Sequence, residues 1–344
     1  MTDALLTVRG LRTHFFLDEG TVRAVDGVDL TVRRGMTLGV VGESGCGKSV
    51  TAFSILRLVS RPGRIVGGDV TLHRESGSVA LTDLDEDGSK IREVRGAEIA
   101  MIFQEPMTSL SPVHTVGSQI VEAVRLHTDL RRKAARARAA ELLDHVGIPD
   151  PATRFRQYPH EMSGGMRQRA MIAMALSCRP SLLIADEPTT ALDVTIQAQI
   201  IELMRDLQAE SGMSIMLITH DLGVIAEMAD EVAVMYLGRV VEFGTTEAIF
   251  SAPKHPYTRG LMRSIPDLDG PRTDRLEAID GAVPGPFRRI EGCPFHPRCP
   301  EAVAGACDVG ERPTLVATED GGEVACVLYS TNSRPQEAVD ASQG

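Results

Sequence analysis

The chain alternates short, unbroken apolar runs with stretches whose apolar residues recur every three or four positions. Runs at 37–41, 99–103, 182–185, 215–219 and 232–236 are apolar without alternation, the pattern of strands buried on both faces of a mostly parallel sheet. Residues 196–209 carry Ile200, Leu203, Met204 and Leu207 on one face and stop before Gly212, which predicts an amphipathic helix. Helical spacing also runs through Val116, Ile120, Ala123, Val124, Leu142, Leu143 and Val146, so a helical insert is expected over 115–146. Residues 5–32 and 69–81 alternate apolar and polar positions instead, predicting an antiparallel layer beside the sheet. Past residue 264 the runs PDLDGPR and GAVPGPF interrupt any regular element, so a loop-rich module is expected there. A polar tail at 331–344 is expected to be disordered.

Composition adds exclusions. A net charge of -11 argues against a broad nucleic-acid surface, which needs clustered cations to neutralise phosphates. The basic run Arg131, Arg132, Lys133, Arg136 and Arg138 reads as a solvated helix face. No uncharged apolar stretch reaches the roughly 18 residues of a membrane span, and the first residues lack the pattern of a signal peptide. If the protein serves a membrane, it is expected to do so from the cytosol.

Chemistry gathers at the ends of the apolar runs, where open parallel sheets place ligands. The first run leads into GESGCGKS, residues 42–49. Gly42, Gly45 and Gly47 permit a tight phosphate-cradling turn, Lys48 reaches β- and γ-phosphates, and Ser49 can place its hydroxyl on Mg²⁺. The run LLIADEP ends in two carboxylates that, as strand neighbours, point opposite ways. Asp186 is therefore assigned to the Mg²⁺ shell and Glu187 to polarising the attacking water. Gln104 and His220 follow two further runs and are placed to contact the water or γ-phosphate. In SGGMRQR, Ser163 is a good helix N-cap, and Gly164 and Gly165 leave backbone amides bare. A chain that already has one phosphate loop would use this second anion site on another subunit's ATP.

With those motifs in view, the chain resembles the ATP-binding subunits of ABC transporters over roughly its first 260 residues. The resemblance implies an α/β, P-loop (RecA-like) nucleotide-binding domain over 1–263, with an antiparallel β subdomain and an α-helical subdomain at about 106–165. It implies nucleotide contacts from Gly42, Glu43, Ser44, Gly45, Cys46, Gly47, Lys48, Ser49 and Val50 (Walker A), and a magnesium site on Ser49, Gln104 (Q-loop) and Asp186 (Walker B). It also implies catalytic roles for Glu187, Gln104 and the switch histidine His220, a signature at Ser163, Gly164, Gly165 and Met166, and a D-loop at Ala191, Leu192 and Asp193. An aromatic ring stacks on adenine in such subunits. Phe15 is the expected residue with Phe16 beside it, since alternation alone does not fix the register of one strand.

MIFQEPMTSLSPVHTVG, Met166 and KHPYTRGLMRSIP narrow the resemblance to oligopeptide and dipeptide permease subunits. That implies a second, homologous ATP-binding subunit, two transmembrane permease subunits, an extracytoplasmic binding protein, and a peripheral position on the cytoplasmic face of the membrane. Peptides are the expected cargo, with nickel or other small solutes as alternatives, and no nucleic acid is expected. Cys293, Cys299, Cys307 and Cys326 fall in the module at 264–330 without a CxxC pair, which matches a zinc finger poorly. A [4Fe-4S] cluster, as in some relatives, is expected there, with Zn²⁺ or free thiols as alternatives. The competing class is a soluble ABC ATPase acting on nucleic acid or ribosomes; the acidic charge, single ATPase unit and lack of a long coiled-coil insertion count against it.

Overall fold

The unbroken apolar runs become central strands, and the alternating segments become an antiparallel layer beside them. The computed structural model describes residues 3–104, 109–190, 192–264 and 279–329. The expected D-loop residue Ala191 and the polar tail at 331–344 lie outside the described residues. In chain order the strands are β1 (Ala4–Leu17), β2 (Gly20–Arg33), β3 (Thr37–Val41), β4 (Gly63–Arg74), β5 (Gly77–Ala80), β6 (Ile99–Ile102), β7 (Leu182–Asp186), β8 (Ser214–Ile218), β9 (Glu231–Tyr236), β10 (Arg239–Thr245), β11 (Val316–Ala317) and β12 (Glu323–Val324). The helices are α1 (Lys48–Ile55), α2 (Ser89–Val94), α3 (Val116–His127), α4 (Arg132–His145), α5 (Pro151–Arg154), α6 (Gly164–Ala175), α7 (Val194–Ser211), α8 (Leu222–Met228), α9 (Thr246–Ser251) and α10 (Pro256–Arg263).

Among the described residues one sheet runs β2-β1-β4-β5 and a larger one runs β11-β12-β10-β9-β3-β8-β7-β6. Strands β9, β3, β8, β7 and β6 are mutually parallel. Successive side chains of a strand face opposite ways, so each central strand feeds two cores. Leu183, Ala185, Ile215, Leu217, Val232 and Val234 join α3, α4, α6, α7 and α8 on one side. Leu182, Ile184, Met216, Ile218, Ala233 and Met235 join α1 and the antiparallel layer on the other. This is why the runs read as continuously apolar: neither face meets water.

The C-terminal module is loop-rich, as expected. Its described residues hold only the 3₁₀ turns His296–Arg298 and Val327–Tyr329 besides β11 and β12. It is nonetheless built into the larger sheet, because β12 pairs with β10 through Glu242 opposite Val324. Cys293, Phe295 and Cys307 belong to the helix-side core, and Phe295 packs its ring 5.3 Å from Tyr236 and 5.4 Å from Tyr257. A segment with so few apolar residues buries them by borrowing the neighbouring domain's surface. Strand β10 and helix α10 are not legible in the pattern: β10 mixes Arg239 and Glu242 with its apolar residues, and α10 opens on Pro256 inside the KHPYT run.

Candidate active site

At the carboxyl end of β3 the chain turns into the glycine-rich loop and then into α1. Gly47 has φ +100°, and a Cβ there would lie 2.1 Å from the Ala24 carbonyl oxygen, so only glycine fits. Lys48 is buried and its Nζ donates to the carbonyls of Gly42 at 2.7 Å and Glu43 at 3.2 Å. The ammonium is thereby held at the loop it serves. Ser44 and Gly45 are exposed, whereas Cys46 is buried and burial pushes its thiol above the ordinary value. Cys46 thus fills space under the loop, and Val50 packs its side chain against the core beneath.

Strand register brings the remaining motifs to the same edge. Ile102 lies opposite Ala185, so Gln104 and Glu187 both fall just past the paired rungs of β6 and β7, and Gln104 is exposed. Ser49 donates its hydroxyl to Asp186 Oδ1 at 3.0 Å. Asp186 is 2 % exposed, and burial raises its carboxyl pKa. A carboxylate whose charge is opposed by burial, beside an alcohol oxygen, is a donor set suited to a hard oxygen-seeking cation such as Mg²⁺.

Glu187 turns the other way. Its φ is +48°, a left-handed conformation that costs energy in a residue with a Cβ and is found where function demands it. Its Oε2 accepts from the Thr190 hydroxyl at 2.6 Å and lies 2.9 Å from His220 Nδ1. Burial works against its charge, but the hydrogen bonds from Thr190 and His220 prevail and hold the carboxyl below its ordinary pKa. The result is an ionised acid, half-sheltered and oriented by two neighbours. Thr190 is not legible in the sequence because a threonine three residues after an acid carries no distinctive signal.

The SGGM run caps a helix as read: Ser163 Oγ accepts from the Met166 N–H at 3.3 Å and α6 begins at Gly164. Asp193 caps α7 in the same manner, accepting from the Ile196 N–H at 3.0 Å. The two caps are neighbours. A Cβ on Gly165 would come within 2.9 Å of the Ile196 side chain, and one on Gly164 within 3.7 Å of Leu192. Gly165 is therefore required by the close packing of α6 on the start of α7, whereas at Gly164 a methyl would make only ordinary contact. Met166 packs against the helix-side core.

Phe15 is half-buried in the antiparallel layer. Its ring lies on Gly63, where a Cβ would meet it at 2.6 Å, and beside Val59. The neighbouring Phe16 faces the other way and is 38 % exposed. Phe16 pairs across the strands with Thr21 and Phe15 with Val22, and both Thr21 and Val22 line a cavity with Arg23, Ala24 and the loop residue Gly45.

No disulfide joins any of the late cysteines. Burial raises the thiol pKa values of Cys293, Cys299 and Cys326, the last to about 11, and the charges of neighbouring cysteines add to the rise in all three. Among the described residues no three Cys, His, Asp or Glu side chains are grouped to hold a metal ion. The expected [4Fe-4S] cluster, and the zinc alternative, therefore gain no support from the geometry.

Two sequence families match this chain: one described as ABC transporter over residues 25–190, and one described as oligopeptide/dipeptide transporter, C-terminal region, over residues 241–307. A probable peptide ABC transporter ATP-binding protein of Sinorhizobium fredii is 54 % identical, with 94 % of this chain and 95 % of that protein covered. The chain belongs to the ATP-binding subunits of oligopeptide/dipeptide ABC transporters. Other members are the oligopeptide transport ATP-binding protein AppD of Bacillus subtilis, 50 % identical over 96 % of this chain and 99 % of that one, and the dipeptide transport ATP-binding protein DppD of Escherichia coli, 49 % identical over 94 % and 96 %. A dimeric ATP-binding cassette solved with ADP and Pi matches with a TM-score of 0.62 and 25 % identity, covering 70 % of this chain and 98 % of its own. This ATP-binding subunit is an ABC ATPase. No helix among its described residues is long and apolar enough to cross a membrane.

Proposed function

We propose that this subunit is the motor of a peptide importer: ATP binding closes it against a second, homologous ATP-binding subunit, and hydrolysis reopens the pair, driving uptake of di- or oligopeptides. One observation carries the reading. The same chain joins an assembled ATPase site to a C-terminal region matching the oligopeptide/dipeptide transporter family. Relatives named for peptide, oligopeptide and dipeptide transport support the cargo. The partners on this reading are two transmembrane permease subunits and, through them, an extracytoplasmic peptide-binding protein, with the subunit peripheral on the cytoplasmic face.

In the reaction the loop amides and Lys48 hold the β- and γ-phosphates. Ser49, Asp186 and Gln104 would hold Mg²⁺, which when bound neutralises phosphate charge. Glu187 polarises the water that attacks the γ-phosphorus, the bond to the β-bridging oxygen breaks, and ADP and phosphate leave. His220 orients Glu187 and contacts the γ-phosphate. The capped start of α6, with Ser163, Gly164, Gly165 and Met166, and Asp193 at the adjoining D-loop, serve the partner's ATP across the interface. The similar ATP-binding cassette that was solved as a dimer supports that pairing. An adenine platform is assigned to the aromatic pair Phe15 and Phe16, of which Phe16 is the more exposed.

The test is uptake by the reconstituted complex. ATP-dependent accumulation of labelled di- and tripeptides, abolished by His220→Ala, is expected; ATPase activity with no peptide uptake, or with nickel uptake in its place, would overturn the cargo assignment. For the late cysteines the finer reading is a [4Fe-4S] cluster on Cys293, Cys299, Cys307 and Cys326, which rests on the presence of four cysteines in one module and on the family resemblance. Iron and sulfide in anaerobically prepared protein, lost in Cys307→Ser, are its expected signature, and metal-free protein refutes it.

A further inference from the structure

The C-terminal module reaches the phosphate loop directly. Arg298, with a side chain only 4 % exposed, donates from Nη1 to Glu43 Oε2 at 2.7 Å and from Nη2 to Glu43 Oε1 at 3.0 Å. Its Nε donates to the Asp280 carbonyl at 3.1 Å, and its guanidinium lies 5.9 Å from the Tyr236 ring centre and 6.0 Å from that of Phe295. Glu43 is the second residue of the Walker A loop, and its backbone is engaged as well. Its N–H donates to the Tyr257 hydroxyl at 2.9 Å. Its carbonyl accepts from Lys48 Nζ at 3.2 Å and from the Cys46 N–H at 3.2 Å.

One loop residue is thus held at its carboxylate by the module and at its amide by α10, while its carbonyl is shared with Lys48. A two-pronged guanidinium–carboxylate pair fixes orientation as well as position. A phosphate loop works by the aim of its backbone amides, so a small displacement weakens every phosphate contact at once. We infer that Arg298 and Tyr257 are positioning residues for ATP binding: acting through Glu43, they hold the phosphate loop in its binding shape and make nucleotide affinity depend on the folded C-terminal module. The inference concerns ATP handling and stands whatever the cargo.

A pair that merely fastened the module to the core would affect stability and leave ATP handling alone, so the two roles separate by readout. The assembled complex carrying Arg298→Gln, Arg298→Lys, Glu43→Gln or the double Arg298→Gln/Glu43→Gln is assayed for ATP KM, kcat and thermal unfolding. Each neutral single variant should raise the ATP KM about tenfold with a smaller change in kcat. The double variant should be no worse than the worse single one, because both remove the same interaction. Arg298→Lys should fall between, keeping the charge but losing the fork. Tyr257→Phe, which deletes only a hydroxyl, should also raise KM and covers the case in which Arg298→Gln fails to fold. An unchanged KM in Glu43→Gln and Tyr257→Phe, or lowered unfolding temperatures at constant KM, overturns the inference, as does strict additivity in the double variant.

Discussion

Glu187 shows what a single residue must satisfy here. Its backbone is left-handed, its carboxylate is shared by Thr190 and His220, and those bonds outweigh burial to keep it ionised. Replacing it by Gln should slow ATP turnover by about 100-fold or more, the scale of a lost general base, while nucleotide binding measured by titration persists. The pH profile follows from the sign of the shift. With its pKa lowered, Glu187 should stay charged on acidification to below the ordinary glutamate range. His220→Ala removes one of the stabilising bonds, so the acid limb of the residual ATPase activity should move to higher pH. An acid limb that stays where it was would detach His220 from Glu187. At Gly47 the constraint is steric: Gly47→Ala would drive a methyl into the Ala24 carbonyl, and ATP binding should be lost altogether.

Elements impose conditions that no one residue reveals. Helices α6 and α7 start side by side, and a Cβ on Gly165 would come within 2.9 Å of Ile196 Cγ2. Gly165→Ala should cost ATPase activity in the assembled complex, and Gly165→Ala with Ile196→Ala, which removes the Cγ2 methyl the new Cβ would meet, should recover part of it; no recovery would assign the glycine to amide exposure alone. Helix α10 illustrates a buried cap. His255 Nδ1 accepts from the Tyr257 N–H at 3.1 Å, and the N–H groups of Lys254 and His255 donate to Glu242 at 2.6 and 2.9 Å. Burial, with Arg259 nearby, lowers the His255 pKa from 6.5 to about 3. Between those values the unfolded chain takes up a proton that the folded chain refuses, so stability falls as pH drops through that window, by at most about 1.4 kcal/mol per pH unit. Glu242 beneath it, raised by burial, acts in the opposite sense, so the two must be separated. His255→Asn keeps a capping acceptor and cannot titrate; its denaturant-unfolding stability should fall less steeply than wild type below about pH 6.5. Equal slopes would mean that His255 charges freely in the fold. The KHPYT run is legible in the sequence as a mark of resemblance, and the physical content of its histidine and tyrosine, a neutral buried cap and a hydroxyl on the Walker A backbone, comes only from the packing.

At the scale of the whole molecule the C-terminal module is continuous with the ATPase core. It lengthens the larger sheet through β12, shares the aromatic cluster of Tyr236, Tyr257 and Phe295, and clamps Glu43 through Arg298. The sequence by itself determined the layered α/β class, the central strands and the contents of the phosphate loop, Walker B, signature and switch segments. These are local properties: periodicity reports burial on one face or two, and glycine, cap and acid spacings report what the backbone can do within a few residues. The same locality explains what the sequence left open. Which of Phe15 and Phe16 faces the loop depends on a register set by β2 and β4. The partners of Glu187 depend on where α7 begins and β8 ends. Arg298 meets Glu43 across 255 residues of chain, a contact that only the tertiary fold could decide, because a fork of two hydrogen bonds leaves no periodic trace in the sequence that makes it.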